Sequence, residues 1–249
     1  MPTPFAPSAA PDFPFYNGQP VALTGRAWAL VLLAVSLGLA SLYLPLPAGH
    51  WRLVPALLFP LIPLLALRAV AGPLALPALF RRLSARDVLL AAGIAMLNVF
   101  VTFVVGAAVA HWWGTSANPA INALGQQGAA DTVLFFAASV PQLLGEELLT
   151  MLPLLALMAW FTGRLGLSRH RALVWAWLLS ALPFALAHLP TYQWNLLQCL
   201  LVIGSARLVL SLAYLRSRNL WVSALAHVLN DWMLFGIALT LGALTARPA

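Results

Sequence analysis

The chain has 249 residues, of which 62% are hydrophobic and only 8% charged, and its mean hydropathy is +0.91. A soluble globular domain carries about 25% charged and about 45–50% apolar residues, so this composition excludes a soluble enzyme and indicates a polytopic helical membrane protein. The formal charge of +7 comes from thirteen arginines and six acidic residues. Without a basic stripe or an aromatic platform, this charge does not predict a nucleic-acid partner.

The chain begins with a segment, residues 1–25, whose Pro, Ser and Ala content predicts a flexible or interfacial tail. The stretch 73–87, with three arginines, predicts an interfacial helix or loop. Residues 26–249 predict a single transmembrane domain, because their apolar runs approach the roughly 20 residues that cross a bilayer. We therefore predict an all-α bundle of about seven spans: about 28–46, 51–68, 88–110, 132–161, 172–188, 195–215 and 219–245.

The arginines predict the orientation of this bundle. With the amino terminus on the inner side, ten of the thirteen arginines fall in inner loops. Arg52 and Arg247 then fall outside, and Arg207 lies within the sixth span. Because inner loops carry an excess of basic residues, we expect the amino terminus in the cytoplasm and the carboxyl terminus outside.

Several ionisable residues lie inside the predicted spans, where each costs about 2.5–3.5 kcal/mol at the bilayer centre by insertion scales. Such residues persist when they pair, line a cavity or do chemistry. Their concentration predicts a polar cavity within the membrane. The residues are Glu146, Glu147, His188, Arg207, His227 and Asp231, with Asn98, Gln142, Gln198 and Asn230 as softer polar neighbours.

The two glutamates lie side by side in the fourth span. On a helix they project about 100° apart, so one can face a cavity while the other supports it from the side. A carboxylate in such a place suits general acid–base work. The alternative is a structural pair held by Arg207 or by a helix end.

The other polar residues form two further helical faces. Phe184 and His188 stand at i and i+4 in the fifth span, and His227 stands at i with Asn230 and Asp231 at i+3 and i+4 in the seventh. An imidazole, an amide and a carboxylate therefore converge on the seventh span. The alternative for this trio is a hydrogen-bond cluster that joins helices.

Two hydrolytic routes are open to these groups. A carboxylate could deprotonate a water while His and Asn stabilise an oxyanion, which needs no cofactor. Alternatively, Glu146, His188 and His227 could hold one divalent metal such as zinc, which activates the water. No His-Glu-x-x-His motif is present, and a lone Ser223 does not support a serine route.

Three motifs in chain order resemble those of the CPBP family, which comprises the CAAX prenyl endopeptidases and the bacteriocin-processing proteins, also called Abi proteins. Their motifs are Glu-Glu-x-x-x-Arg, Phe-x-x-x-His and His-x-x-x-Asn or Asp. Here they are matched by Glu146-Glu147, by Phe184 with His188, and by His227 with Asp231. The resemblance covers about 130–235, which would be the catalytic half.

The resemblance implies an intramembrane endopeptidase. Glu146 would activate the water with Glu147 assisting, and His188 and His227 would bind or polarise water and substrate. Asp231, with Asn230 beside it, would hold the oxyanion or position His227. Phe184 of the second motif would support the site or the substrate, and we assign the same role to Arg207, which lies outside the motifs. Members of this family have been described both as metal-dependent and as glutamate-type proteases, so the metal alternative stays open here.

One position departs from the family motif. Met151 stands where the family has its Arg, four residues after Glu147. Because an apolar side chain cannot pair with a carboxylate, we predict that Arg207 pairs with Glu147 across helices in its place. The alternative is that Met151 marks a member without protease activity.

The expected protein is an integral protein of a bacterial inner membrane. Its partners would be membrane lipid and a membrane-associated polypeptide, cleaved at a C-terminal tail, a sorting signal or a leader. The alternatives are a non-catalytic binding or bacteriocin-immunity protein on the same fold, and a transporter that uses the same buried acids. No inverted repeat supports the transporter.

Depth along the bundle presents a difficulty for a single site. At ~1.5 Å per residue from the inner side, Glu146 and His188 come out about 25 Å deep and His227 only about 12 Å. The sequence therefore predicts either a stepped cavity or strongly tilted spans.

Overall fold

The computed structural model describes residues 12–47 and 49–245, and this part of the chain is helical without a strand. A 3₁₀ turn spans Gly49–Arg52, and a π-helical segment spans Cys199–Ile203. The helices are α1 Gly25–Ser41, α2 Leu53–Ala71, α3 Ala75–Leu79, α4 Ala85–Trp113, α5 Pro119–Leu124, α6 Ala129–Gly163, α7 Arg169–Ala187, α8 Leu196–Ser217 and α9 Leu220–Thr245.

The predicted all-α membrane bundle is confirmed. Among the described residues, six helices are long and apolar enough to cross a bilayer, and α1, with 17 residues, is a seventh, shorter apolar helix. The predicted first span is too long at its carboxyl end, because α1 stops at Ser41 rather than near residue 46. Pro45 and Pro47 follow this end, and proline disfavours helix at and before its own position.

The stretch predicted to be interfacial contains one short helix, α3, and the beginning of α4. Ser84 caps α4: its hydroxyl accepts a hydrogen bond from the Asp87 amide, and the Asp87 carboxylate accepts one from the Ser84 amide. This reciprocal capping satisfies two amides that would otherwise lack partners. It explains why α4 begins a few residues earlier than its apolar run.

Helix α6 is the central element of the bundle and packs against α1, α2, α7 and α9. From Leu148 to Met158 it is buried on nearly every side. A helix that is apolar all round belongs in the interior of a large bundle. The two glutamates therefore sit on the most enclosed helix of the fold, while α4 packs on the far side against α8 and α9.

Phe59 of α2 fixes the position of α6 beside the glutamates. A Cβ atom added to Gly145 would lie 2.5 Å from the Phe59 ring, and one added to Gly38 of α1 would lie 2.6 Å from the Phe59 carbonyl oxygen. Both glycines are therefore close-packing positions. They let α1, α2 and α6 approach around one fully buried aromatic side chain.

Part of the predicted amino-terminal tail is docked on the bundle. Phe13 and Phe15 are both buried, and the Phe13 ring lies 5.9 Å from that of Tyr214. The Asp12 carboxylate accepts hydrogen bonds from the Arg169 guanidinium at 2.8 and 2.5 Å. This guanidinium holds the pKa of Asp12 well below its usual range. Residues 1–11, and Arg247 at the other end, lie outside the described residues.

The turn between α8 and α9 is partly buried at the end of the bundle where Phe13 docks. Asn219 is 3% exposed; its side chain accepts a hydrogen bond from the Arg81 amide and donates one to the Arg81 carbonyl, each at 3.0 Å. The Arg81 guanidinium donates to the Ser217 carbonyl. The structure nevertheless brings His227 to the level of the glutamates, since its Nδ1 lies 2.9 Å from the Glu147 carboxylate.

Candidate active site

The two glutamates face different environments, as the 100° rotation between them predicts. Glu147 is completely buried, whereas the Glu146 side chain is 12% exposed and lines a cavity. The carboxylate of Glu146 accepts a hydrogen bond from the Gln142 amide at 3.1 Å. Glu146 is thus the glutamate that a substrate or a water can reach.

Glu147 is enclosed by donors from three side chains. Its carboxylate accepts two hydrogen bonds from Arg207, at 2.6 and 3.1 Å, one from His227 Nδ1 at 2.9 Å and one from the Ser223 hydroxyl. A carboxylate offers about four lone-pair sites, so all of them are used. The predicted pair between Arg207 and Glu147 is confirmed, and Glu147 acts as an anchor for its neighbours.

Arg207 takes the place of the motif arginine from a different helix. Its guanidinium is fully buried and lies 5.1 Å from the centre of the Phe184 ring, a cation–π distance. Met151 is also fully buried, in the apolar core. The cation therefore reaches Glu147 from α8 across the bundle, and the position after the glutamates on α6 is free to be apolar.

His227 is oriented by Glu147. Because its Nδ1 donates to the Glu147 carboxylate, Nε2 is the nitrogen directed toward Glu146 and Asp231. Nε2 lies 3.8 Å from Glu146 Oε2 and 3.6 Å from Asp231 Oδ1. These distances exceed direct hydrogen bonds and are the kind of separation that a water bridges.

An amide chain supports Asp231 from behind. Asn230 Nδ2 donates to Asp231 Oδ1 at 2.9 Å, and Asn98 Nδ2 of α4 donates to Asn230 Oδ1 at 3.0 Å. The order Asn98, Asn230, Asp231 therefore links the amino-terminal half of the chain to the site. The bond between Asn98 and Asn230 joins α4 to α9.

His188 caps the carboxyl end of α7 and faces the same cavity. Its Nδ1 lies 2.8 Å from the Phe184 carbonyl oxygen, so Nδ1 carries the proton and Nε2 is the free nitrogen. The His188 ring packs 4.7 Å from Phe184 and stacks 6.5 Å from Tyr192. Burial raises the pKa of Tyr192 to about 12, so this tyrosine keeps its proton at ordinary pH.

Two cavities meet at these residues. One, of about 360 Å³, is lined by Glu146, His188, His227 and Asp231, and its walls are largely apolar. The other, of about 610 Å³, also reaches Glu146, His188 and Asp231. It extends past Tyr43 and Trp51 toward the end of the bundle opposite the arginine-rich loops.

The metal alternative requires at least three donor side chains around one point. In the described part of the chain, no group of three or more His, Cys, Asp or Glu side chains is arranged so that it could hold a metal ion. The predicted metal set of Glu146, His188 and His227 does not form such a group. As placed in the structure, these three side chains do not form a metal centre.

Sequence reasoning missed one member of the site, Ser223. Considered as a nucleophile, it is unsupported; its hydroxyl instead donates to Glu147 from within the protein core. The available signal was its spacing, since Ser223 lies one helical turn before His227 and on the same face of α9. All the other predicted site residues converge, including Phe184, which packs between Arg207 and the two histidine rings.

The fold and this cluster define a polytopic membrane protein with carboxylate, imidazole and amide groups gathered in an intramembrane cavity. Residues 128–233 match the family model described as type II CAAX prenyl endopeptidase Rce1-like. The match spans all three motifs and confirms the resemblance to the CAAX-protease family. It supports a CAAX-type intramembrane endopeptidase. Comparisons with curated proteins and with solved structures gave no match.

Proposed function

We propose that this protein hydrolyses a peptide bond in a membrane-associated polypeptide, with Glu146 as the general base for an attacking water. The single observation that carries this proposal is the different environment of the two glutamates. Glu147 has its lone pairs filled by Arg207, His227 and Ser223, while Glu146 lines the cavity with Asp231 and His227 Nε2 nearby.

The attacking water lies among Glu146 Oε2, His227 Nε2 and Asp231 Oδ1. Glu146 removes one proton, and the resulting hydroxide forms a bond to the carbonyl carbon of the substrate. His227 and Asp231 orient the water, because Glu147 fixes the His227 ring and Asn230 fixes Asp231. Positioning of this kind lowers the entropic cost of the attack.

The oxyanion formed by this attack needs a donor from the opposite side. His188 Nε2 is the nitrogen left for this contact, because Nδ1 is held by the Phe184 carbonyl, and it donates when it carries a proton. Protonated Glu146 then gives its proton to the amide nitrogen, and the C–N bond breaks. The products are a carboxylic acid and an amine, and Glu146 returns to its ionised form.

The substrate enters this site as an apolar, extended segment. The 360 Å³ cavity carries apolar side chains of α4, α8 and α9 beside its polar floor, and a peptide bond is reached most directly when the chain is extended. A C-terminal tail, a sorting signal or a leader near the membrane surface meets both requirements. The larger cavity provides the path by which water reaches Glu146.

The test compares polypeptide termini in membranes of cells that carry wild type, Glu146→Gln or Asp131→Asn at equal expression. Asp131 lies on the same helix but in its first turn, away from the cavity, so Asp131→Asn is the matched acid-to-amide control. We expect new termini in wild type and in the control and a loss of at least about 100-fold in Glu146→Gln, the scale of a general base. Cleavage by purified protein should persist in a metal chelator.

Two results would contradict the proposal. Identical termini in all three strains, with a host phenotype preserved in Glu146→Gln, would favour the non-catalytic binding or immunity function. Cleavage that needs Glu146 but disappears with the chelator and returns with zinc would keep the peptidase and replace the water-only mechanism.

A further inference from the structure

Two polar atoms on α4 remain without partners inside the smaller cavity. Within the described residues, neither Asn98 Oδ1 nor Thr102 Oγ1 has a hydrogen-bond partner, although both atoms are buried. Asn98 is 0% exposed, and both side chains line the cavity that contains Glu146 and His227. A buried polar atom left unpaired costs about 1–3 kcal/mol, so this pair of atoms calls for an explanation.

Within the protein, Asn98 forms a hydrogen bond through its amide nitrogen but not through its amide oxygen. Its Nδ2 donates to Asn230, which leaves Oδ1 as an acceptor. A threonine within a helix commonly bonds to the carbonyl one turn earlier, as Thr162 does with Met158. Thr102 makes no such bond, and its hydroxyl is therefore available to a group in the cavity.

The spacing of these two atoms matches an extended peptide. Residues 98 and 102 lie one turn apart on the same face of α4, about 6 Å along its axis. In an extended chain, N–H groups on the same side belong to alternate residues, which are about 6.6 Å apart. The distance between the two acceptors on α4 therefore matches the distance between two N–H groups on the same side of an extended peptide.

We propose that Asn98 and Thr102 bind alternate backbone N–H groups of the substrate and hold its chain extended along α4 beside Glu146. This inference rests on the proposed function and deepens it. It assigns a positioning role to a helix outside the 128–233 family match. It also defines the substrate segment as an extended backbone with apolar side chains, because Phe103 and Leu234 line the same cavity.

The test uses a peptide ending in farnesylated Cys-Val-Ile-Ser, a CAAX sequence, with the purified full-length protein. Thr102→Val keeps the shape of the side chain and breaks no bond within the protein. Its KM should rise about five-fold, the worth of one hydrogen bond, with kcat nearly unchanged, and Thr102→Ser should restore it. Thr162→Val, in the last turn of α6 and outside the cavity, is the matched control and should change neither constant.

A second measurement separates substrate binding from a structural role. Peptides N-methylated at one tail amide at a time are used as competitors of the parent peptide. Methylation at either of two alternate amides should weaken competition about five-fold in wild type. At one of these amides, the methylated peptide should compete no worse with Thr102→Val than with wild type, because the hydrogen bond is already absent. Asn98→Leu also removes the bond to Asn230, so only its pattern among the methylated peptides is compared: it should abolish the effect of methylation at the other amide.

The outcomes distinguish the two proposals. The subsite would be overturned, and the peptidase left intact, if Thr102→Val cleaved the parent peptide with an unchanged KM. The same would follow if methylation at every amide weakened competition equally in all variants. No cleavage of this peptide, together with unchanged membrane termini in Glu146→Gln, would overturn the proposed function and the subsite with it.

Discussion

Two identical neighbours, Glu146 and Glu147, have different chemistry because a helix turns between them. Glu147 meets a buried guanidinium, an imidazole and a hydroxyl, which balance its charge and use its lone pairs. Glu146 meets one amide and the cavity. The charge of Glu147 therefore serves to orient His227, and Glu146 keeps a free oxygen for the water.

Arg207→Met should destabilise the protein by about 3–5 kcal/mol, because it leaves the Glu147 charge buried without its partner. Arg207→Met combined with Glu147→Gln removes both charges and should recover part of that loss, while peptide cleavage stays low because His227 loses its charged anchor. Thermal unfolding in detergent and a cleavage assay measure the two effects.

The control for this pair is Arg164→Met, which removes an exposed arginine at the end of α6. It should leave both stability and cleavage within error of wild type. An Arg207→Met protein that unfolds at the wild-type temperature and cleaves at the wild-type rate would show that the buried pair has no role.

At the scale of helices, the site depends on how closely α6 approaches α2. Phe59 occupies the space that a side chain at residue 145 would need, one residue before Glu146. Interiors packed to this density do not absorb an added methyl group without displacement. A shift of α6 would move Glu146 relative to His227 and Asp231, which lie on α9.

Gly145→Ala should therefore destabilise the protein by about 1–3 kcal/mol through overpacking and reduce cleavage. The matched control is Gly93→Ala in α4, where an added Cβ meets nothing within 4 Å. There the change should be neutral or stabilising by up to about 1 kcal/mol, the difference in helix propensity. Unfolding temperatures and cleavage rates of both variants, measured together, check the prediction; equal behaviour would contradict it.

The elements also show what the sequence could and could not predict. Charge balance found the pair between Arg207 and Glu147, because one arginine lay mid-span and needed an anion. Helical spacing found the faces of His188 and of His227 with Asp231. The burial of Asn219 and the docking of Phe13 were not predicted, since both depend on contacts between segments far apart in the chain.

Over the whole molecule, the two ends of the bundle differ in charge and in access to the site. At the arginine-rich end, Asp12 binds Arg169 and Arg81 binds Asn219, and the cavity lined by Asp12 and Arg81 does not include Glu146. At the other end, Gln198 joins the loop after α4 to α8 through hydrogen bonds to Ser116. The larger cavity reaches Glu146 from this second end, so the positive-inside rule predicts that water enters from outside the cell.

This orientation is tested by single cysteines in a Cys199→Ser background, since Cys199 is the only cysteine and is buried. Gln126→Cys lies in the loop before α6, and Ser168→Cys lies in the loop before α7; both positions are exposed. In intact cells, a membrane-impermeant maleimide should label Gln126→Cys, and it should label Ser168→Cys only after the membrane is opened. The reverse pattern would place the arginine-rich loops outside and the entrance to the Glu146 cavity in the cytoplasm. In that case the substrate would be a cytoplasmic tail rather than an exported segment.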